Sequence, residues 1–104
     1  MPFNRSRREE IEHARYLISQ LGPDVDRYER DRQRALSDAR RYIEREYGGA
    51  YLTVSDFGLR ATLESRGADG YGEAGSVHEG SGEGRWWVVM WHADTGERKL
   101  RRKR

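Results

Sequence analysis

Six consecutive apolar residues, Trp86-Trp87-Val88-Val89-Met90-Trp91, stand in a chain in which 37% of residues are charged. No other apolar run exceeds three residues. Read as a strand, the run puts Trp86, Val88 and Met90 on one face and Trp87, Val89 and Trp91 on the other. A strand apolar on both faces belongs in the middle of a sheet or against a partner on one side. The run falls far short of the ~20 residues that a membrane span needs.

Asp94-Thr95-Gly96 follows as a turn, with Gly96 suited to the positive-φ position of a hairpin loop. Glu97 to Arg102 then returns with only Leu100 apolar, which marks an edge strand guarded by charge. Residues 85–102 are therefore expected to form a basic β-hairpin. Its core-facing set is either Trp86, Val88 and Met90 or Trp87, Val89 and Trp91. These are to meet Ile11, Leu17, Ile18, Leu21, Leu36 and Ile43 of the helices.

The helices come first in the chain. Ile11, Ala14, Ile18 and Leu21 recur at helical spacing, with Leu17 widening the stripe. Asn4 or Ser6 can cap this helix, and Glu9 completes a capping box with Ser6. Gly22 suits its C-terminal cap and Pro23 the first turn of the next helix. The second helix runs from about Pro23 to Tyr47, with Val25, Tyr28, Ala35, Ala39, Tyr42 and Ile43 on one face. Asp24–Arg27, Asp26–Arg30, Asp31–Arg34 and Arg40–Glu44 stand three or four apart, each such pair adding a few tenths of a kcal/mol. Arg32 sits where the stripe asks for an apolar residue. With Tyr28, Tyr42 and Tyr47 it makes either core or a partner surface, and the heptad-like spacing offers a homodimer contact through residues 25–47.

After Gly49 the period shortens to two. Tyr51, Thr53 and Ser55 alternate with Leu52 and Val54, and Leu59, Ala61 and Leu63 with Arg60, Thr62 and Glu64. Strands over 50–66 are favoured above a competing short helix from Ser55 to Arg66, inside which Gly58 would cost about 1 kcal/mol. Residues 67–84 contain seven glycines and no period, and read as a loop. The expectation is one α+β domain over 1–104. A helical hairpin (6–47) packs on an antiparallel sheet of three or four strands, and the Gly-rich loop precedes the final hairpin.

Leu, Ile, Val and Phe number only 17 of 104 residues, but three Trp and six Tyr enlarge the core that so short a chain can bury. Without Cys, disulfides and thiolate metal sites are excluded. The start of the chain has no apolar leader, so a cytoplasmic protein with no membrane contact is expected.

Chemical motifs lack their contexts. Gly70 to Val77 matches G-x-G-x-x-G-x-V, yet no helix follows to receive a phosphate. Asp94-Thr95-Gly96 matches the aspartic-protease triplet but is explained as a turn. His13, His78 and His92 have no metal-ligand spacing. No catalytic residue, metal or cofactor is assigned, and the chain is read as non-enzymatic.

Charge carries the functional signal. Residues 1–48 hold eleven basic and ten acidic groups, 49–84 hold two and six, and 85–104 hold seven and two, for a total of +2. Arg85, Trp87, Trp91, Arg98, Lys99, Arg101 and Arg102 form the candidate site, where cations meet phosphate and indoles stack bases. The expected partner is DNA or RNA, with an acidic protein surface as the alternative. In that case the chain is a small inhibitor or adaptor, of the size that phages and mobile elements encode, aimed at a nucleic-acid-handling complex. The stretch Arg85–Arg102 resembles the arm-type DNA-binding sheet of phage integrases, where an Arg-Trp-rich strand meets a turn of the Asp-x-x-Gly kind and a basic strand. In that family a helix follows the sheet, which is absent here. The resemblance implies DNA binding.

Overall fold

A computed structural model describes residues 7–48, 51–80 and 84–103. The chain runs through α1 (Arg7–Ser19), a 3-10 turn (Gly22–Asp24), α2 (Val25–Tyr47), β1 (Leu52–Asp56), α3 (Leu59–Glu64), β2 (Tyr71–Glu79), β3 (Trp86–His92) and β4 (Arg98–Lys103). The strands form one antiparallel sheet in the order β1-β2-β3-β4. The apolar run of β3 is thus central and charged β4 is an edge, as the pattern implied.

The long helix follows its stripe. Ala35, Leu36, Ala39 and Ile43 are buried with Trp87, Val89 and Trp91. The helices therefore cover the second of the two possible β3 faces. The sheet occupies this stripe, so the stripe itself is not a free face of α2.

The first helix departs from the expected antiparallel pair. Gly22 takes φ +59° and redirects the chain, and α1 meets α3 instead of lying back along α2. Leu17 and Leu21 reach the core edge. The Asn4 or Ser6 cap, and the packing of Ile11 and Ala14, lie outside the described residues.

Residues 55–66 correct the strand reading. Leu59–Glu64 is helical, and Gly58 sits at its N-cap with φ +88° instead of inside it. The Asp56 carboxylate accepts the Gly58 N–H at 2.8 Å. Leu59, Thr62 and Leu63 are buried, the spacing of a helix face. The apparent alternation treated Thr62 as outward-facing, whereas it is 1% exposed and its hydroxyl donates to the Gly58 carbonyl at 2.7 Å.

Residues 67–84 correct the loop reading. Their middle is β2, a central strand. Its glycines exist for close approach. A Cβ at Gly72 would lie 2.0 Å from the Thr62 carbonyl oxygen of α3. At Gly75 it would lie 2.6 Å from Leu36 Cδ2 of α2. The G-x-G-x-x-G-x-V match is therefore a packing surface within a sheet.

Arg32 is 1% exposed and all five of its N–H donors are used. Nη1 donates to Asp56 Oδ1 at 2.6 Å and to the Ala74 carbonyl at 3.0 Å. Nη2 donates to Asp56 Oδ2 and Glu29, and Nε to Glu29 Oε2. Ala74 lies at a β-bulge in β2, between Glu73 and Gly75. The hydrogen bonds that Arg32 donates to Asp56 hold that carboxyl below the ordinary range against desolvation, with help from the Gly58 N–H and Gln33.

Two outcomes follow. Gly72→Ala forces α3 off the sheet and should cost about 1–3 kcal/mol. A thermal melt should show it, with Gly67→Ala, whose Cβ meets only Asp69 at an ordinary 3.4 Å, as the unchanged control. A depressed carboxyl contributes stability above its unfolded pKa of about 3.9, and loses it as pH falls through the lower folded value. Asp56→Asn should therefore lower stability at neutral pH by about 1 kcal/mol, a figure reduced by solvent screening because the carboxylate is more than a third exposed. It should also flatten the decline below about pH 4 in denaturant titrations.

Candidate cationic groove

The period of two divides the predicted site between two faces. In the β3–β4 register Trp91 pairs with Arg98, Val89 with Leu100 and Trp87 with Arg102. These share the helix-covered face. Met90 pairs with Lys99, Val88 with Arg101 and Trp86 with Lys103, on the opposite face. Arg98, Lys99, Arg101 and Arg102 therefore do not form one surface.

Neither Trp87 nor Trp91 is an exposed stacking platform. Trp91 is 1% exposed, and its indole N–H donates to Asp31 Oδ2 of α2 at 2.8 Å. Tyr28 meets its ring edge-on at 6.4 Å. Trp87 is 3% exposed beneath Tyr47, with ring centroids 5.3 Å apart. The exposed indole is Trp86, 42% accessible on the opposite face, where it neighbours His78 and Lys103.

Most of the predicted cations already have partners. Arg98 pairs with Asp38 of α2 at 2.5 Å, and Lys99 with Asp69 at 3.3 Å. Arg101 reaches across β3 to Glu73 at 2.5 Å. Arg85 pairs with Glu79, whose carboxyl this contact holds below its ordinary range, and its guanidinium lies 5.0 Å from the Tyr47 ring and 5.4 Å from Trp87. The acidic middle of the chain thus folds beside its basic end. Arg102 has no carboxylate within 4 Å among the described residues, and lies 5.9 Å from the Trp87 ring.

Arg102 and Arg98 line a groove of about 660 Å³ between β4 and the C-terminal half of α2. Its floor and walls include Tyr42, Tyr47, Trp87 and Leu100, and Arg45 closes the α2 side. Sequence reasoning placed Tyr42 on the buried stripe and left Arg45 out. They stand here because they flank buried Ile43 on the side of α2 that borders β4, where Tyr42 stays 42% and Tyr47 43% exposed. The available signal was the rotation of the helix, since Tyr42 and Arg45 are three apart and flank buried Ile43.

On α2 two of the four anticipated ion pairs form: Arg27–Asp24 at 3.6 Å and Arg40–Glu44 at 3.2 Å. Asp31 serves Trp91 instead, and Arg30, Arg34 and Arg41 stay exposed. No group of three or more potential metal ligands occurs among the described residues. No helix among them is long and apolar enough to cross a membrane.

No family model, curated protein or solved structure matches the chain. The likeness of Arg85–Arg102 to the integrase sheet stands on those residues alone.

The burial of two indoles is directly measurable. Acrylamide should quench the emission of one Trp in three, and Trp86→Phe should remove that accessible component while leaving the blue-shifted emission of Trp87 and Trp91.

Proposed function

We propose that the protein is a small, non-enzymatic nucleic-acid-binding accessory protein whose contact surface is the groove between α2 and β4. The observation that carries this reading is Arg102, a guanidinium without a carboxylate partner among the described residues, lining with Arg45 and Arg98 a cleft walled by aromatic rings. Arginine presents a planar fork suited to phosphate, and rings beside it suit bases. Of the seven residues anticipated from sequence, Arg98 and Arg102 belong to this surface and Arg85 braces its rings. Trp87 contributes to its floor rather than stacking, and Trp91 anchors the fold. Lys99 and Arg101 extend from the opposite face of β4 and supply peripheral charge.

A second reading has its own observation. Arg98, Lys99 and Arg101 each already hold a carboxylate of this chain. An acidic protein surface exchanging for Asp38, Asp69 and Glu73 would make the molecule an inhibitor or adaptor.

The test is fluorescence anisotropy with a labelled oligonucleotide at two salt concentrations. Affinity should fall with salt, with a log–log slope of about −0.7 to −0.9 for each phosphate neutralised. Arg102→Ala should reduce the steepness by about one phosphate contact. Deleting β4 is a poorer test, because it strips the sheet of an edge strand. Absence of salt-sensitive binding would remove the nucleic-acid reading and leave the acidic-partner one.

A further inference from the structure

The geometry points to an unpaired strand, single-stranded DNA or RNA, as the ligand of the α2–β4 surface; this inference rests on the nucleic-acid reading above. Three observations carry it.

The first is shape. A protein that reads duplex DNA presents a projecting helix or ribbon to a major groove about 12 Å wide. Here the cations and rings line a hollow. The groove at the C-terminal half of α2 has a counterpart of about 580 Å³ at its N-terminal half, against the β3–β4 turn. Arg27, Arg30 and Arg34 line that second hollow with Asp31 and Asp94, so three cations there stand over two carboxylates, of which Asp31 is taken up by the Trp91 indole. Both hollows have α2 as one wall and the β3–β4 hairpin as the other, and the Asp38–Arg98 ion pair stands at the border of the first. From Arg27 to Arg45 the helix wall runs about 27 Å, at 1.5 Å per residue. A trough of that form accepts one strand laid along the helix.

The second is the ring chemistry. Tyr42 and Tyr47 are more than two-fifths exposed in the wall of the first groove. In a duplex the faces of the bases are stacked on one another, so only their edges and the phosphates are offered. Recessed rings therefore gain from bases only when those bases are unpaired.

The third is the placing of charge. Arg45 lies 5.8 Å from the Tyr42 ring and Arg102 5.9 Å from Trp87, so each guanidinium stands beside a ring rather than on an isolated rim. The Tyr42–Arg45 pair sets an open ring beside a cation, as a single strand sets base beside phosphate, while Trp87, 3% exposed, forms the floor beneath Arg102.

The experiment compares a labelled 12-nucleotide single strand, as DNA and as RNA, with the duplex of the same sequence. It uses the full chain and Tyr42→Leu, whose exposed side chain can change without emptying the core. The single strand should bind at least tenfold more tightly than the duplex. Tyr42→Leu should weaken single-strand binding about 5- to 150-fold, the equivalent of one base–aromatic stack, and so narrow the gap between single strand and duplex. Equal affinity for duplex and single strand, or full single-strand affinity in Tyr42→Leu, overturns the inference while the nucleic-acid reading survives. Binding of neither overturns both. Unaltered circular dichroism and melting of Tyr42→Leu confirm that a loss of affinity is not a loss of fold.

Discussion

A single buried guanidinium sets the geometry of this molecule. Arg32 joins three elements at once: α2 through its own position and Glu29, β1 through Asp56, and β2 through the bulged Ala74 carbonyl. Such a cluster is weak evidence for net stability, because desolvation opposes the attraction. Its effect is directional. A guanidinium with five bonds to three elements admits one rotation of α2 about its axis. That rotation aims Ala35, Leu36, Ala39 and Ile43 at the sheet. It also turns Tyr42 and Arg45 toward β4, so the groove is a consequence of the same bonds.

The bulge and the glycines of β2 complete that arrangement. Gly72 lets α3 press against the strand, and Gly75 admits Leu36 of α2. Ala74 between them leaves the regular pairing, and its carbonyl accepts from both Arg32 and the Phe57 N–H. Gly72 and Gly75, which made this segment look unstructured, are glycines that the packing requires. A strand with larger side chains there would hold the helices away from the sheet and lose the Arg32 contacts.

How much was legible follows the same division. The α2 stripe, the β1 alternation, the apolar β3 run, the Gly96 turn and the charged β4 edge were readable, because each is a local period or a local backbone demand. Gly96 indeed adopts φ +75°. β2 was not readable, because its pattern answers to neighbours distant in sequence. α3 was not, because burial of Thr62 depends on a hydrogen bond to Gly58 that no pattern of polarity reveals. The face of β3 that meets the helices was ambiguous in principle, since both faces are apolar. The candidate site suffered from that ambiguity. Clustering in sequence put seven residues together, and the alternation of a strand separated them. Arg45 and Tyr42 were hidden because their role arises only where α2 is brought beside β4, residues far apart in sequence.

Electrostatics at the groove are necessarily local. The chain carries a formal charge of only +2, and the acidic segment 49–84 lies beside the basic end. Beyond a Debye length of about 8 Å at physiological salt, those opposed charges largely cancel. Long-range steering of a polyanion is therefore weak, and discrimination falls to contacts made inside the trough. There Asp38 is held by Arg98 and Glu46 by Arg45, while Arg102, whose charge also acts on Glu79, has no carboxylate within 4 Å among the described residues. A ligand that brings only negative charge gains little from such a surface over the carboxylates it must displace. One that brings flat rings as well gains from Tyr42 and Tyr47, and that difference selects a strand with free bases over a merely acidic polymer.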